Sequence, residues 1–558
     1  MTAQVAGICN RPNNRQCWSP GFDINTNYMK KTPNGQVRKY WWTIEQAYNW
    51  KGPDGVVKPS VLLINGKFPG PTLRGNWGDT FQVTVVNKLP NQGTGIHWHG
   101  FRMLENNIND GVPGVTECPI KPGASSTYTF RAEQYGTSWY HSHYSSQYGN
   151  GVWGSVVVYG PASANYDINL GAYPISDYYY QTVEQLYQVA AKGPPPPSDN
   201  VMFNGKNINP GGSGGAYSVI TLTPGKKHLL RLINPSVEHN FQLSINGHSM
   251  KVIATDFTPV KPKKVQNLFL GIGQRADVII EADQKVDNYW MNVTLPAANR
   301  CGRSRNPFPA AIVRYKGAPK KTPTVRGASP PNLGCQDLIN YAPVVSKNVP
   351  LDKFKANKDS ELPMDFVVSA TTHNILWRID NTSLVVDWKK PIVDYVLAGQ
   401  TQFPPALNIV RVPQKDAWTY WIINNNNLLD HPIHLHGHDF FVLGVSGKNA
   451  GPFVYARDKG SLKTQNPTRR DVTMAPANGW LVLAFFTDNP GAWLMHCHIA
   501  WHIEGGMGIN FLEQANAQKA LISASEQSQY KQQCQQWIAY AQATGLQQPG
   551  SGLRDGQQ

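Results

Sequence analysis

The sequence predicts an all-β protein built from three tandem β-sandwich or barrel domains and closed by a short helical tail. Three observations point there. The chain has 558 residues, more than one hydrophobic core serves. Its 50 glycines and 42 prolines punctuate short runs rich in β-branched and aromatic residues. One plan also recurs along it: a polar turn, an alternating strand, an Asn-rich turn, then a strand with regularly spaced polar residues.

The first unit carries "GDTFQVTVVNKLPNQGTGIHWHG", the second "GKKHLLRLINPSVEHNFQLSINGH" and the third "KDAWTYWIINNNNLLDHPIHLHGH". The outer two share a further stretch, "GTSWYHSHYSSQYGNGVWGSVVVYG" matching "PGAWLMHCHIAWHIEGGMGINFLE". Breaks near "YGPASANYD" and "GASPPNLGC" divide the chain into 1–160, 161–330 and 331–558. "KGPPPPSDN" reads as a loop inside the second unit, and "ASEQSQYKQQCQQWIAYAQA" has the composition of the helical tail.

Composition narrows the function classes. Charged residues are 16% and hydrophobic ones 41%, as in a loop-rich globular protein rather than a disordered one. No apolar run reaches the roughly 18 residues of a membrane helix. The net charge is +15, but the basic runs sit among Pro and Gly and no nucleic-acid motif accompanies them. They read as a solvated surface that favours anionic polymers or substrates. The opening "MTAQVAGICNRPNNRQ" is polar and reads as a mature start with an added Met. Seven cysteines leave one over if six pair; Cys9 with Cys17 and Cys301 with Cys335 are supported by proximity, while Cys118 and Cys534 stand apart. Two sequons, Asn292-Val293-Thr294 and Asn381-Thr382-Ser383, agree with a secreted protein.

The repeats show where chemistry is kept. His97 and His99 align with His434 and His436, and His141-Ser142-His143 aligns with His496-Cys497-His498. The middle unit has Gln242 and Ser244 instead, which cannot replace imidazole ligands. Alternate residues of a strand share a face, so each H-x-H pair aims two imidazoles one way. Four such pairs can converge between units one and three, and eight neutral nitrogens suit two or three transition metals rather than hard cations. Cys497, between its two histidines, faces the opposite way, into its own unit. With His431, His502 and a weak axial Met507 it forms the donor set of a blue-copper site. Zinc is the less fitting tenant, given the thioether and the histidine-rich neighbour.

The run "HWHG", "HSH", "HPIHLHGHDF" and "HCHIAWHIEGGM" resembles the four copper signatures of the multicopper oxidases, over essentially the whole chain. "PGPTLRGNWGD", "SDYYY", "NPGAWL" and "SGL" resemble the ascomycete fungal laccases among them. The resemblance implies three cupredoxin-like Greek-key domains and four copper ions. His431, Cys497 and His502 would bind type 1 copper, His97 and His434 type 2, and His99, His141, His143, His436, His496 and His498 the type 3 pair. These are ten of the 15 histidines; His228, His239, His248, His373 and His438 read as structural. It also implies the disulfides Cys9–Cys17, Cys118–Cys534 and Cys301–Cys335.

The activity implied is laccase chemistry: phenols and related aromatics give up single electrons, and dioxygen is reduced to water. Bilirubin, ascorbate and ferrous iron are the alternative reductants. A monomer acting outside the cell, with neither nucleic acid nor membrane as partner, completes the expectation. Asp79 matches a carboxylate of the family and is the proton-relay candidate; the acid some relatives carry three residues after the copper-bound cysteine is Ala500 here. Glu238 matches the phenol-proton acceptor, and Trp377, Leu429, Trp501, Pro194 and Pro195 are the other cleft candidates beside His502 or His431. Three departures stand out. Met507 replaces the usual Leu, Asn427 and Asp430 stand where relatives are apolar, and "PGSGLRDGQQ" lacks the Asp of the family's C-terminal plug.

Overall fold

A computed structural model describes residues 9–212, 214–295, 301–324, 336–354 and 358–546. Six sheets of four to six strands dominate it, two from each third of the chain. The first pair uses Val57–Ile64, Val37–Lys51, Thr80–Asn87 and Ser125–Arg131 on one side. Gly70–Asn76, Trp153–Tyr159, Gly136–Ser142 and Ile96–His99 form the other. Thr80–Asn87 shows why these are strands: in TFQVTVVN every second residue is buried, as a one-face-in sheet requires. Central strands such as Gly491–Cys497, GAWLMHC, are buried on both faces and lose that alternation.

Strand neighbours mix parallel and antiparallel pairing. Val37–Lys51 runs parallel to Thr80–Asn87, which runs antiparallel to Ser125–Arg131. The last third repeats the arrangement, with Glu361–Val368 parallel to Trp418–Asn425 and that strand antiparallel to Gly479–Phe486.

The cores are not three equal ones. The middle third has its own apolar cluster around Leu230, Phe241 and Val278. The outer thirds share one that runs from Trp98 and Trp139 through Leu435 and Trp493 to Cys497. Burial of apolar surface, at about 25 cal/mol per Å2, is thus what presses the two histidine-bearing strands together. Ion pairs also link the thirds. Arg102 reaches Asp488 at 2.6 Å, and Arg275 of the middle third grips both oxygens of Asp471 at 2.6 Å.

The helical tail is Ala515–Leu521 and Ala524–Thr544. Ser523 and Glu526 close a capping box at the start of the longer helix, and Gly545 (φ 64) takes the left-handed conformation that ends it. The disulfide Cys118–Cys534 ties this helix back to the first third, and Cys9–Cys17 closes the N-terminal loop. Cys301 is disulfide-bonded; its expected partner Cys335 lies outside the described residues, as does the "PGSGLRDGQQ" tail. Among the described residues no helix is long and apolar enough to cross a membrane.

The two sequons part company. Asn292 lies inside the strand Asn288–Thr294, 4% exposed, with Nδ2 donating to Asn246 at 2.7 Å. Asn381 is exposed in a turn at φ 61. A glycan on the buried amide would block folding. Mass spectrometry of glycopeptides from protein made in a glycosylating host is therefore expected to find sugar on Asn381 and none on Asn292.

Candidate metal centre

Strand register builds the site. His97 of Ile96–His99 lies opposite His141 of Gly136–Ser142, and His434 of His431–Leu435 lies opposite His496 of Gly491–Cys497. The two strand pairs meet across the shared core, so eight imidazoles converge. Three buried groups have ligand atoms mutually within 4.8 Å: His97, His99 and His434; His99, His141 and His498; His143, His436 and His496. In the middle third the corresponding pair is Gln242 opposite Thr294, and no such cluster forms there among the described residues.

The ring nitrogens are sorted by their outer partners. Nδ1 of His97 donates to the Asp110 carbonyl at 3.0 Å, and Nδ1 of His434 to the Asp471 carbonyl at 2.8 Å. Those of His141 and His496 use the carbonyls of Ser142 and Cys497. Each Nε2 is thereby left unprotonated and aimed inward. Nε2 of His97, His141 and His434 is buried without a hydrogen-bond partner, and those of His436 and His496 face each other at 3.3 Å. Burial, reinforced by neighbouring imidazoles, holds His99, His141, His143, His434, His436 and His498 well below the usual histidine range. These rings are neutral, and converging lone pairs with no proton between them are what a transition-metal ion satisfies.

One residue away lies a second group. The Cys497 thiol, fully buried and the free cysteine among the described residues, sits 3.4 Å from His431 Nδ1 and 3.5 Å from His502 Nδ1. Burial pushes the thiol up and His431 down to about 3, which favours a neutral thiol and neutral rings; a soft cation would take the thiolate. Met507, also fully buried, is laced in by backbone: its carbonyl accepts from Cys497 N–H at 3.1 Å, and its N–H donates to the His502 carbonyl at 2.9 Å. Two imidazoles and a thiol, joined through one peptide unit to a histidine cluster, fit copper better than any hard cation.

Residues 45–163, 171–318 and 374–517 match family models, each for multicopper oxidase. The chain belongs to the multicopper oxidases. Its relatives include a laccase of Neurospora crassa, 49% identical over 98% of this chain and 90% of that protein. A laccase of Cryphonectria parasitica is 52% identical over 95% and 92%. The crystal structure of a Botrytis aclada laccase superposes with a TM-score of 0.89 at 34% identity, covering 97% of this chain and 99% of that one. The oxidase is thus a mostly β protein of three cupredoxin-like domains, as expected, and the clusters above are compatible with copper.

Several of the residues expected on the substrate side lie around the cysteine group. Of its two imidazoles His502 keeps some exposure (6%) and His431 has none. Trp377 covers His502 with ring centroids 3.9 Å apart, and lies 5.6 Å from His431. Trp501 precedes His502 in the short helix Ala500–Glu504 and is buried against Tyr179. Leu429 is half-buried against the shared core; Pro194 is exposed, and the half-buried Pro195 accepts Arg303 through its carbonyl. Glu238 is half-buried, with Oε2 sealed from solvent. Burial pushes its carboxyl up to about 8, Asp177 adds to the rise, and the Trp501 indole opposes it.

Asp79 is not brought to the histidines. Its oxygens accept the N–H groups of Gln36 and Asn76 and the Arg38 guanidinium, each at 2.8 Å, which makes it the anchor of a turn before Thr80–Asn87. The carboxylate at the cluster is Asp110, which sequence reading missed. Its side chain takes His436 Nδ1 at 2.8 Å and approaches His97 Nδ1 at 3.2 Å, binding one histidine from each outer domain. Nothing in "NNINDGVPG" marks it, because an Asp before Gly is ordinary turn chemistry. Asp471, 3.2 Å from His99 Nε2, was missed as well. Asn427 and Asp430 are both buried, Asp430 spending one oxygen on Ala477 N–H at 2.8 Å and the other on Lys448 at 2.6 Å.

Proposed function

We propose that the oxidase is a laccase, which takes electrons one at a time from phenols and delivers them to dioxygen, releasing water. The observation that carries this reading is the unbroken run His496-Cys497-His498. It sets the thiol group beside the cleft and its two flanking imidazoles in the two histidine groups that can bind oxygen's metals. Four copper ions would be held: a type 1 ion by His431, Cys497 and His502 with Met507, a type 2 ion by His97 and His434, and a type 3 pair by His99, His141, His143, His436, His496 and His498. Copper supplies the one-electron steps and the four-electron reduction. The chain supplies the rest. Asp110 and Asp471 orient the rings, the shared core excludes water, Trp377 offers an aromatic face beside His502, and Glu238 accepts the proton a phenol loses on oxidation. Domain limits of 1–160, 161–330 and 331–558, a secreted monomer, and an aromatic reductant complete the proposal. The disulfides support secretion.

The test is oxygen uptake by copper-loaded protein with a dimethoxyphenol. Four phenols consumed per dioxygen, with no peroxide, is the expected result; uptake only with bilirubin, ascorbate or ferrous iron overturns the substrate assignment. Glu238 makes the rate pH-dependent. With a carboxyl near 8, its anion fraction grows as pH rises, so the advantage of wild type over Glu238→Gln on a phenol widens with pH and levels off above about 8. At that plateau the advantage is about a hundredfold in kcat/KM. Met507→Leu removes thioether donation to the oxidised ion, so redox titration is expected to give a higher type 1 potential.

A further inference from the structure

Behind Glu238 lies a carboxylate that the assignments above leave unused. Asp177 sits near the end of the strand Ile168–Tyr178, and its side chain is buried. Its two oxygens accept three consecutive backbone N–H groups: Val237 at 3.1 Å on Oδ1, Glu238 at 2.8 Å and His239 at 3.2 Å on Oδ2. Its own N–H donates to Ser236 Oγ at 3.0 Å, closing the clasp on the same segment. The His239 ring is held from another side, its Nε2–H donating to the Arg303 carbonyl at 2.8 Å.

The segment held in this way is itself docked on the helix that carries His502. The Val237 carbonyl accepts the N–H of Ala500, at 2.9 Å, and Ala500 opens the helix that carries Trp501 and His502. One path therefore runs from Asp177 through Val237 to the His502 helix, and Glu238 is the next residue of the clasped segment. A buried carboxylate holding three N–H groups is expensive to desolvate, and its neutral substitutes cannot accept all three bonds. Such a residue defines where the neighbouring side chain stands.

We infer that Asp177 is the positioning residue for phenol oxidation, fixing Glu238 at its working distance from the His502 helix. The inference rests on Glu238 being the phenol-proton acceptor. Asp177 touches no substrate; it acts through the backbone of Val237, Glu238 and His239.

The test compares copper-loaded wild type, Asp177→Asn, Glu238→Gln and the double variant. One donor is a dimethoxyphenol, which must lose a proton. The other is ferrocyanide, which gives up an electron and no proton. Asp177→Asn is expected to lower phenol kcat/KM about tenfold to a hundredfold, the scale of a misplaced reacting group. Its pH profile on phenol should flatten, while ferrocyanide oxidation and the blue absorption band stay as in wild type. The double variant should be no slower on phenol than Glu238→Gln alone, because both remove one interaction. A parallel fall with ferrocyanide, a changed blue band, or losses that multiply in the double variant would overturn the inference. If Glu238→Gln alone leaves phenol oxidation intact, the acceptor reading fails first and the inference falls with it, an outcome distinct from the others. Asp177→Ser, smaller and with one acceptor kept, serves if Asp177→Asn does not fold.

Discussion

Replacing Cys497 by serine is expected to abolish the blue colour and to cut phenol oxidation by about a thousandfold or more, because a hydroxyl is a hard, weakly basic donor that does not hold the soft site. The side chain is fully buried and bracketed by His431 and His502, so the change removes the central donor without opening the site to solvent. The flanking His496 and His498 keep their places, since their positions come from strand register and from the Asp110-linked and Trp139-packed rings rather than from the thiol. Copper counting with electron paramagnetic resonance checks this. Loss of the type 1 signal with the type 2 signal retained is the expected pattern; loss of both would show that the two sites do not form independently.

Asp110→Ala should carry the next largest effect. Its carboxylate is the acceptor for His436 Nδ1–H, and it stands between histidines of the first and third domains. Removing it leaves a buried N–H unsatisfied, at a cost of about 1–3 kcal/mol. It also frees the ring to turn, so copper affinity of the histidine cluster, and the oxygen consumption that depends on it, should fall about 10- to 100-fold. The backbone carbonyl of residue 110 survives the substitution and continues to hold His97. Asp110→Asn keeps an acceptor for His436 and should recover part of the loss. Equilibrium copper titration against a chelator measures both variants. Equal affinity in Asp110→Ala and wild type would refute the orienting role.

The two variants mark two kinds of legibility. The Cys497 donor set could be read from the chain because its geometry is local: His496 and Cys497 alternate faces at the end of one strand, His498 follows directly, and His502 stands in the short helix just beyond. The H-x-H pairs were legible for the same reason, helped by the repeat that sets His97 against His434 and leaves Gln242 in the middle domain. Asp110 was not legible. Its partner His436 is 326 residues away, and only the packing of the outer domains on a common core brings the two within hydrogen-bond reach. Asp79 looked the better candidate because its surroundings resembled the family's; its own N–H donors and Arg38 consume it in a turn instead.

By itself, then, the sequence determined which atoms are available for metals and on which face of each strand they stand, since donor chemistry and the two-residue strand period are local properties. It also determined the threefold architecture, through repeated patterning. Tertiary structure decided what depends on burial and on distant partners. It decided that Asn292 is sealed while Asn381 is free, that Asp430 is spent on Lys448, and that His502 rather than His431 keeps an edge toward solvent. It also decided that Asp177 clasps the segment bearing Glu238. The physical reason is the same in each case. A polar side chain's role is set by which water it loses and which partner replaces it, and neither is specified until the chain has packed.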